Sequence, residues 1–102
     1  PCTGLGTLRR RPEIRQRLDP ESPHRLAPVQ HNLLDEALAL VAPGGRLVYS
    51  VCTVFPEETI EIVAERDAKP PEGLPGEPWG KGWLLAPHTS GTDGMFIAVI
   101  EA

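Results

Sequence analysis

Residues 29–53, VQHNLLDEALALVAPGGRLVYSVCT, decide the fold. From Val29 to Val41 the apolar residues Leu33, Leu34, Ala37, Leu38 and Val41 recur three and four positions apart, which predicts an amphipathic helix of about three turns. Ala42-Pro43-Gly44-Gly45 ends it, because proline cannot continue a helix and glycine accepts left-handed backbone angles. Arg46-Leu47-Val48-Tyr49-Ser50-Val51 follows as a short apolar and β-branched run, the pattern of a strand covered on both faces in a parallel sheet. A helix leading into such a strand is half of a βαβ unit, so the expected fold class is α/β.

Downstream, Thr53-Val54-Phe55-Pro56-Glu57-Glu58 turns into a second expected helix running to about Lys69, with acidic residues in its first turn and Ile60, Ile62 and Val63 on its buried side. The prolines and glycines of residues 70–82 predict a long surface loop. Trp83-Leu84-Leu85 and Met95 to Ile100 read as two final strands in an antiparallel hairpin that closes the sheet edge. Upstream, residues 13 to 19 suggest a short helical turn, and Pro20, Pro23 and Pro28 then interrupt the backbone ladder. The opening Pro1-Cys2-Thr3-Gly4-Leu5-Gly6 reads as a loop with further chain expected before it.

A chain of 102 residues that is 40% hydrophobic holds one modest core, one domain or part of one. It has neither an apolar run of the ~20 residues that cross a bilayer nor the layout of a secretory signal at its start, so a cytoplasmic location is expected. The formal net charge is −4, yet residues 1 to 25 carry Arg9, Arg10, Arg11, Arg15, Arg17 and Arg25 against Glu13, Asp19 and Glu21, a local balance of +3. Such a segment suits phosphate contact, since guanidinium groups pair with phosphate oxygens in a planar fork; a solvated arginine-rich turn accounts for it equally.

Cys2 and Cys52 are too few for a disulfide scaffold and are expected as free thiols. Cys52 ends the Leu47–Val51 strand, and in open α/β sheets that edge is where ligands bind. Taken alone it also suits a small buried hydrophobe. No paired ligand spacing joins the cysteines to His24, His31 or His88, so no metal is expected. Tyr49 suits packing better than base stacking, Trp79 and Trp83 carry no assignment, and an Asp93-Gly94 pair between strands is by itself a good turn.

The stretch Pro1-Cys2-Thr3-Gly4-Leu5-Gly6-Thr7-Leu8-Arg9-Arg10-Arg11-Pro12-Glu13-Ile14 resembles the Pro-Cys motif of the Sun (Fmu) family of RNA cytosine methyltransferases, whose bacterial members modify 16S ribosomal RNA. Gly44 to Thr53 followed by Pro56-Glu57-Glu58 is similar to that family's second cysteine motif, and Pro87 to Phe96 to its closing Asp-Gly-Phe-Phe segment. The three stand in the family's order and with the helix between them cover nearly the whole chain. The resemblance implies the C-terminal half of a Rossmann-like, S-adenosylmethionine-dependent methyltransferase domain. It also implies an RNA substrate, a nucleophile at Cys52 that adds to carbon 6 of cytosine, and a product-releasing role for Cys2.

The chemistry calls for two such groups. Carbon 5 of cytosine becomes nucleophilic only after a thiolate adds at carbon 6, and the proton on carbon 5 and the thiolate must afterwards leave. The Cys52 thiolate is expected to be favoured by the start of the following helix. Arg9, Arg10 and Arg11 are the candidate RNA-binding residues, with Arg10 also suited to ordering the loop. Residues 1–102 differ from the family's pattern in three ways. The family's Asp-Ala would lie ahead of Pro1, its glycine-rich cofactor loop and ribose-binding acid have no counterpart in residues 1–102, and Val51 and Thr53 replace the usual Thr and Ser. The 102-residue piece is therefore expected to be inactive by itself. The rival reading is a non-catalytic RNA-binding or protein-interaction module with structural cysteines.

Overall fold

Met95–Glu101 is the strand on which the others assemble. The computed structural model describes residues 1–102, in which this strand, β5, pairs antiparallel with β1 (Arg46–Val51) along one edge. Along its other edge it pairs antiparallel with β4 (Gly82–Leu85) and then with the two-residue β2 (Ala68–Lys69). β3 (Glu77–Trp79) lies outside β4 and completes the order β1-β5-β4-β3. Alternate residues of β5 point to opposite faces, and Phe96, Ala98 and Ile100 all point into the core. Leu34 from α1 (Ser22–Leu40) and Ile62 and Val63 from α2 (Ile60–Val63) close over them.

The expected hairpin of Trp83–Leu85 with Met95–Ile100 is present, with Trp83 opposite Ile97 and Leu85 opposite Met95. β5 is nevertheless an interior strand and not the edge. Strand β1 occupies the expected residues, but its pairing in this chain is antiparallel rather than parallel, and its faces alternate between half-buried and exposed. Only one of its edges is paired, and Val48 stands 60% exposed.

The first helix is longer than expected, beginning at Ser22. Pro23 sits in its first turn, where an N–H has no helical partner, and Pro28 forfeits one backbone bond that the buried Gln30 and Leu34 offset by tertiary contact. The second helix is shorter. A 3-10 turn at Pro56–Glu58 precedes the four-residue α2, and the chain then turns because Ala68 and Lys69 pair with Ile100 and Val99 instead. The expected loop over 70–82 contains β3, where Pro78 is tolerated because β3 is an outer strand. Trp79 meets the Phe96 ring edge-on at 6.0 Å, and Trp83 donates its indole N–H to the Pro75 carbonyl at 2.7 Å.

The opening loop is stitched into this sheet by backbone. Gly6 N–H donates to the Cys52 carbonyl at 2.9 Å, and Gly94 N–H donates to the Gly6 carbonyl at 2.7 Å. A Cβ on Gly6 would lie 1.9 Å from the Gly94 carbonyl oxygen, so only glycine permits the approach. Gly6→Ala is expected to destabilise the fold by about 2–4 kcal/mol. A fall in the urea midpoint at unchanged slope checks it.

Candidate active site

Two short segments bring the thiols together. Cys2 lies in the opening loop, whose turn is set by Gly4 in the left-handed region with the Thr7 N–H and hydroxyl both donating to its carbonyl. Cys52 lies just past the end of β1. The two sulfurs are 3.4 Å apart, both cysteines are free, and both are half-buried. That separation is far longer than the ~2.05 Å of a disulfide and marks an S–H···S contact. Burial first, and the hydrogen bond with Cys52 second, push the Cys2 thiol above its ordinary pKa. Cys2 therefore keeps its proton at neutral pH and can donate it toward the Cys52 sulfur.

A buried carboxylate holds this geometry. Glu58 is fully buried, and its side chain accepts four hydrogen bonds. The Thr3 N–H donates at 2.8 Å, the Thr3 hydroxyl at 2.7 Å, the Thr53 hydroxyl at 2.7 Å and the Gln30 amide at 3.1 Å. An acceptor-only group is thus matched by donors from the opening loop, α1 and the end of β1. Gln30 also donates to the Pro1 carbonyl at 2.9 Å. Tyr49 donates its hydroxyl to the Glu58 main-chain carbonyl at 2.7 Å and meets Phe96 edge-on at 6.4 Å, so it packs as expected. Burial, reinforced by the Glu58 charge, pushes the Tyr49 hydroxyl pKa upward.

The thiols open into a cleft of about 460 Å³ whose walls include Ile14, Leu18, Leu26, Arg11, Arg17 and Arg25. That size suits a small organic group. The candidate RNA-binding arginines divide. Arg9 and Arg10 donate to Asp93 at 2.8 and 2.6 Å, together holding its carboxyl below the usual carboxylate range, with Arg10 the larger influence. Arg10 thus orders the loop, and Asp93-Gly94 anchors it rather than serving only as a turn. Arg11 pairs with Glu13 at 3.2 Å and borders the thiol cleft. The expectation that a helix dipole favours the Cys52 thiolate loses its basis, because the segment after Cys52 is a three-residue 3-10 turn and a four-residue helix. No three His, Cys, Asp or Glu side chains converge anywhere in the chain.

The sequence reading missed Glu58, Thr3, Thr53 and Gln30 as site residues. The only signal for them was position, since each threonine directly follows a cysteine and Glu58 belongs to the Pro56-Glu57-Glu58 motif. Glu58→Gln removes the charge and turns one acceptor oxygen into an N–H donor, so either the Thr3 N–H and Gln30 amide lose their acceptor or both threonine hydroxyls must reverse to accept. It is expected to cost about 2–3 kcal/mol. A thermal melt measures this. Alkylation of Cys2 is expected to rise with pH along a curve displaced above that of free cysteine. Cys52→Ala should move the curve only part of the way back, because burial remains the larger cause; iodoacetamide labelling read by mass spectrometry tests both points.

Residues 1–101 match the family described as 16S rRNA methyltransferase RsmB/F. The chain is 49% identical to Ribosomal RNA small subunit methyltransferase B of Thermus thermophilus over 99% of its own length and 27% of the relative's. It is 31% identical to the protein of the same name from Vibrio cholerae, over 99% of this chain and 24% of that one. Among solved structures, that of NSun6 from Pyrococcus horikoshii with SFG superposes at a TM-score of 0.80 and 28% identity, covering 99% of this chain and 28% of that one. The chain thus spans about a quarter of the length of these relatives. The family match over residues 1–101 and the relatives that align with nearly all of this chain agree, and the chain belongs to the 16S rRNA methyltransferase RsmB/F family.

Proposed function

We propose that this chain is the C-terminal part of the catalytic domain of an S-adenosylmethionine-dependent enzyme that methylates carbon 5 of a cytosine in RNA, in 16S ribosomal RNA, in the cytoplasm. The observation that carries the reading is the pair of sulfurs 3.4 Å apart in one arginine-bordered cleft. In this reading the Cys52 thiolate forms a bond to carbon 6, and the electron pair of the C5–C6 double bond moves toward carbon 5. The Cys2 S–H faces the Cys52 sulfur and can hydrogen-bond to it as negative charge returns to that sulfur on leaving. Once carbon 5 is methylated, a base takes its proton, the double bond re-forms and the C6–S bond breaks, returning the thiolate.

The cofactor, when bound, supplies the methyl group. Residues 1–102 offer no glycine-rich loop followed by a ribose-binding acid, so they do not form its site, and their part is confined to the cytosine side of the reaction. The domain assignment is supported by the unpaired edge of β1. A groove of about 220 Å³ runs between that strand and α1, lined by Pro1, Leu33 and Val48, and the buried Gln30 side-chain oxygen beside it has no donor within the chain. A strand from a preceding cofactor-binding half would cover the groove and pair with the free edge. NSun6, at 28% identity, was solved with SFG, an S-adenosylmethionine analogue, which supports the cofactor assignment. No helix is long and apolar enough to cross a membrane.

The test uses the full-length protein with cofactor and unmodified small-subunit ribosomal RNA on a denaturing gel that preserves protein-RNA adducts. Cys2→Ala is expected to accumulate an adduct that the Cys2→Ala/Cys52→Ala double variant lacks. If neither single variant traps RNA while both still methylate it, the two-cysteine mechanism is wrong. RNA binding without methylation or adduct in the unmodified protein favours the binding-module reading.

A further inference from the structure

The six N-terminal arginines are not equivalent once folded. Arg9 and Arg10 are held by Asp93, Arg11 by Glu13 at 3.2 Å, and Arg25 by Asp19 at 3.1 Å. Arg15 and Arg17 make no salt bridge, and they diverge. Arg15 borders a separate depression with Pro12, Glu13 and Gln16, whereas Arg17 borders the cleft that holds both sulfurs. The Arg17 backbone is fixed, its N–H donating to the Ile14 carbonyl at 3.0 Å at the end of the Pro12–Gln16 turn, and Ile14 is buried. The cleft therefore combines two thiols, an apolar wall of Ile14, Leu18 and Leu26, and one guanidinium with its donors uncommitted.

We infer that Arg17 binds a backbone phosphate of the nucleotide whose base enters the cysteine cleft, with Arg25 and Arg11 adding charge at the rim. This rests on the proposed reading of the cleft as an RNA cytosine site. Of the arginines bordering the cleft, Arg17 is the one that can meet a phosphate without first breaking an internal ion pair, and its planar fork matches phosphate oxygens. The contact anchors the nucleotide through its phosphate equally before and during the reaction and takes no part in bond making.

The experiment is single-turnover methylation of a small-subunit ribosomal RNA transcript by the full-length protein, followed against RNA concentration at several salt concentrations. Arg17→Ala is expected to raise the half-saturating RNA concentration about tenfold and to reduce the slope of log affinity against log salt by about one. Its effect falls on half-saturation rather than on the plateau rate. Arg17→Lys should recover part of the affinity and the full salt slope. Arg15→Ala removes the same unpaired charge two residues away and should change half-saturation by less than about twofold. Arg17→Gln carries the same expectation as Arg17→Ala should the latter melt lower. If Arg17→Ala and Arg17→Gln match Arg15→Ala, or lower only the plateau rate, the inference is overturned and the cysteine reading stands. If the unmodified protein neither methylates nor traps the RNA, the reading of the cleft fails and takes the inference with it.

Discussion

The Glu58 carboxylate, fully buried and met by four donors, is the constraint on which the rest of the site depends. A carboxylate out of water is costly unless every lone pair it presents finds a donor, so the groups around it are held more firmly than neutral contacts would hold them. Those groups come from three segments that share no local structure: Thr3 in the opening loop, Gln30 in α1 and Thr53 past the end of β1. Each threonine directly follows a cysteine. Locking Thr3 and Thr53 onto one carboxylate therefore sets the positions of Cys2 and Cys52, and their 3.4 Å separation follows from the backbone rather than from any attraction between sulfurs.

A second anchor acts from the other end of the loop. Backbone hydrogen bonds link the Cys52 carbonyl to Gly6 and Gly6 to Gly94, and the salt bridges of Arg9 and Arg10 to Asp93 lie close by in sequence. Asp93 and Gly94 immediately precede β5, the strand that pairs with β1, β4 and β2, so the loop is registered against the most connected element of the sheet. The two anchors divide the task. The exposed ion pairs contribute little stability by themselves, whereas the buried carboxylate and the close glycine backbones leave the loop only one position. The thiols sit between the two anchors.

The helix of residues 29–41, the strand Arg46–Val51 and the final hairpin were legible because each carries its own period or turn chemistry, and the order of the three motifs was legible as a family resemblance. The true start of α1 was not, since Pro23 and Pro28 read as breakers while tertiary burial of Gln30 and Leu34 keeps the helix intact. The shortening of the second helix was not either: Ala68 and Lys69 leave it to pair with β5, a choice made by residues about 30 positions away. The antiparallel partner of β1 lies about 50 residues downstream, and no local pattern in Arg46–Val51 distinguishes it from a parallel one. In the site, the cysteines could be found because their chemistry is rare. Glu58 could not, because an acidic residue near the start of a helix already has a sufficient explanation in the dipole.

Folding divides arginines that a count of charge treats alike. A local balance of +3 over residues 1–25 invites the adjacent Arg9, Arg10 and Arg11 to be taken as the phosphate-binding surface. Folding instead commits four of the six arginines to Asp93, Glu13 and Asp19, one of them brought from the far end of the chain. Affinity for a polyanion grows with the number of phosphates neutralised, each adding about 0.7–0.9 to the salt slope, and two unpaired arginines facing different depressions supply little of it. On the proposed reading, this segment does not hold the RNA by bulk electrostatics. The −7 balance over residues 26–102 opposes that further. What remains for a single free guanidinium beside two thiols is the anchoring of one phosphate, for which one well-placed fork is enough.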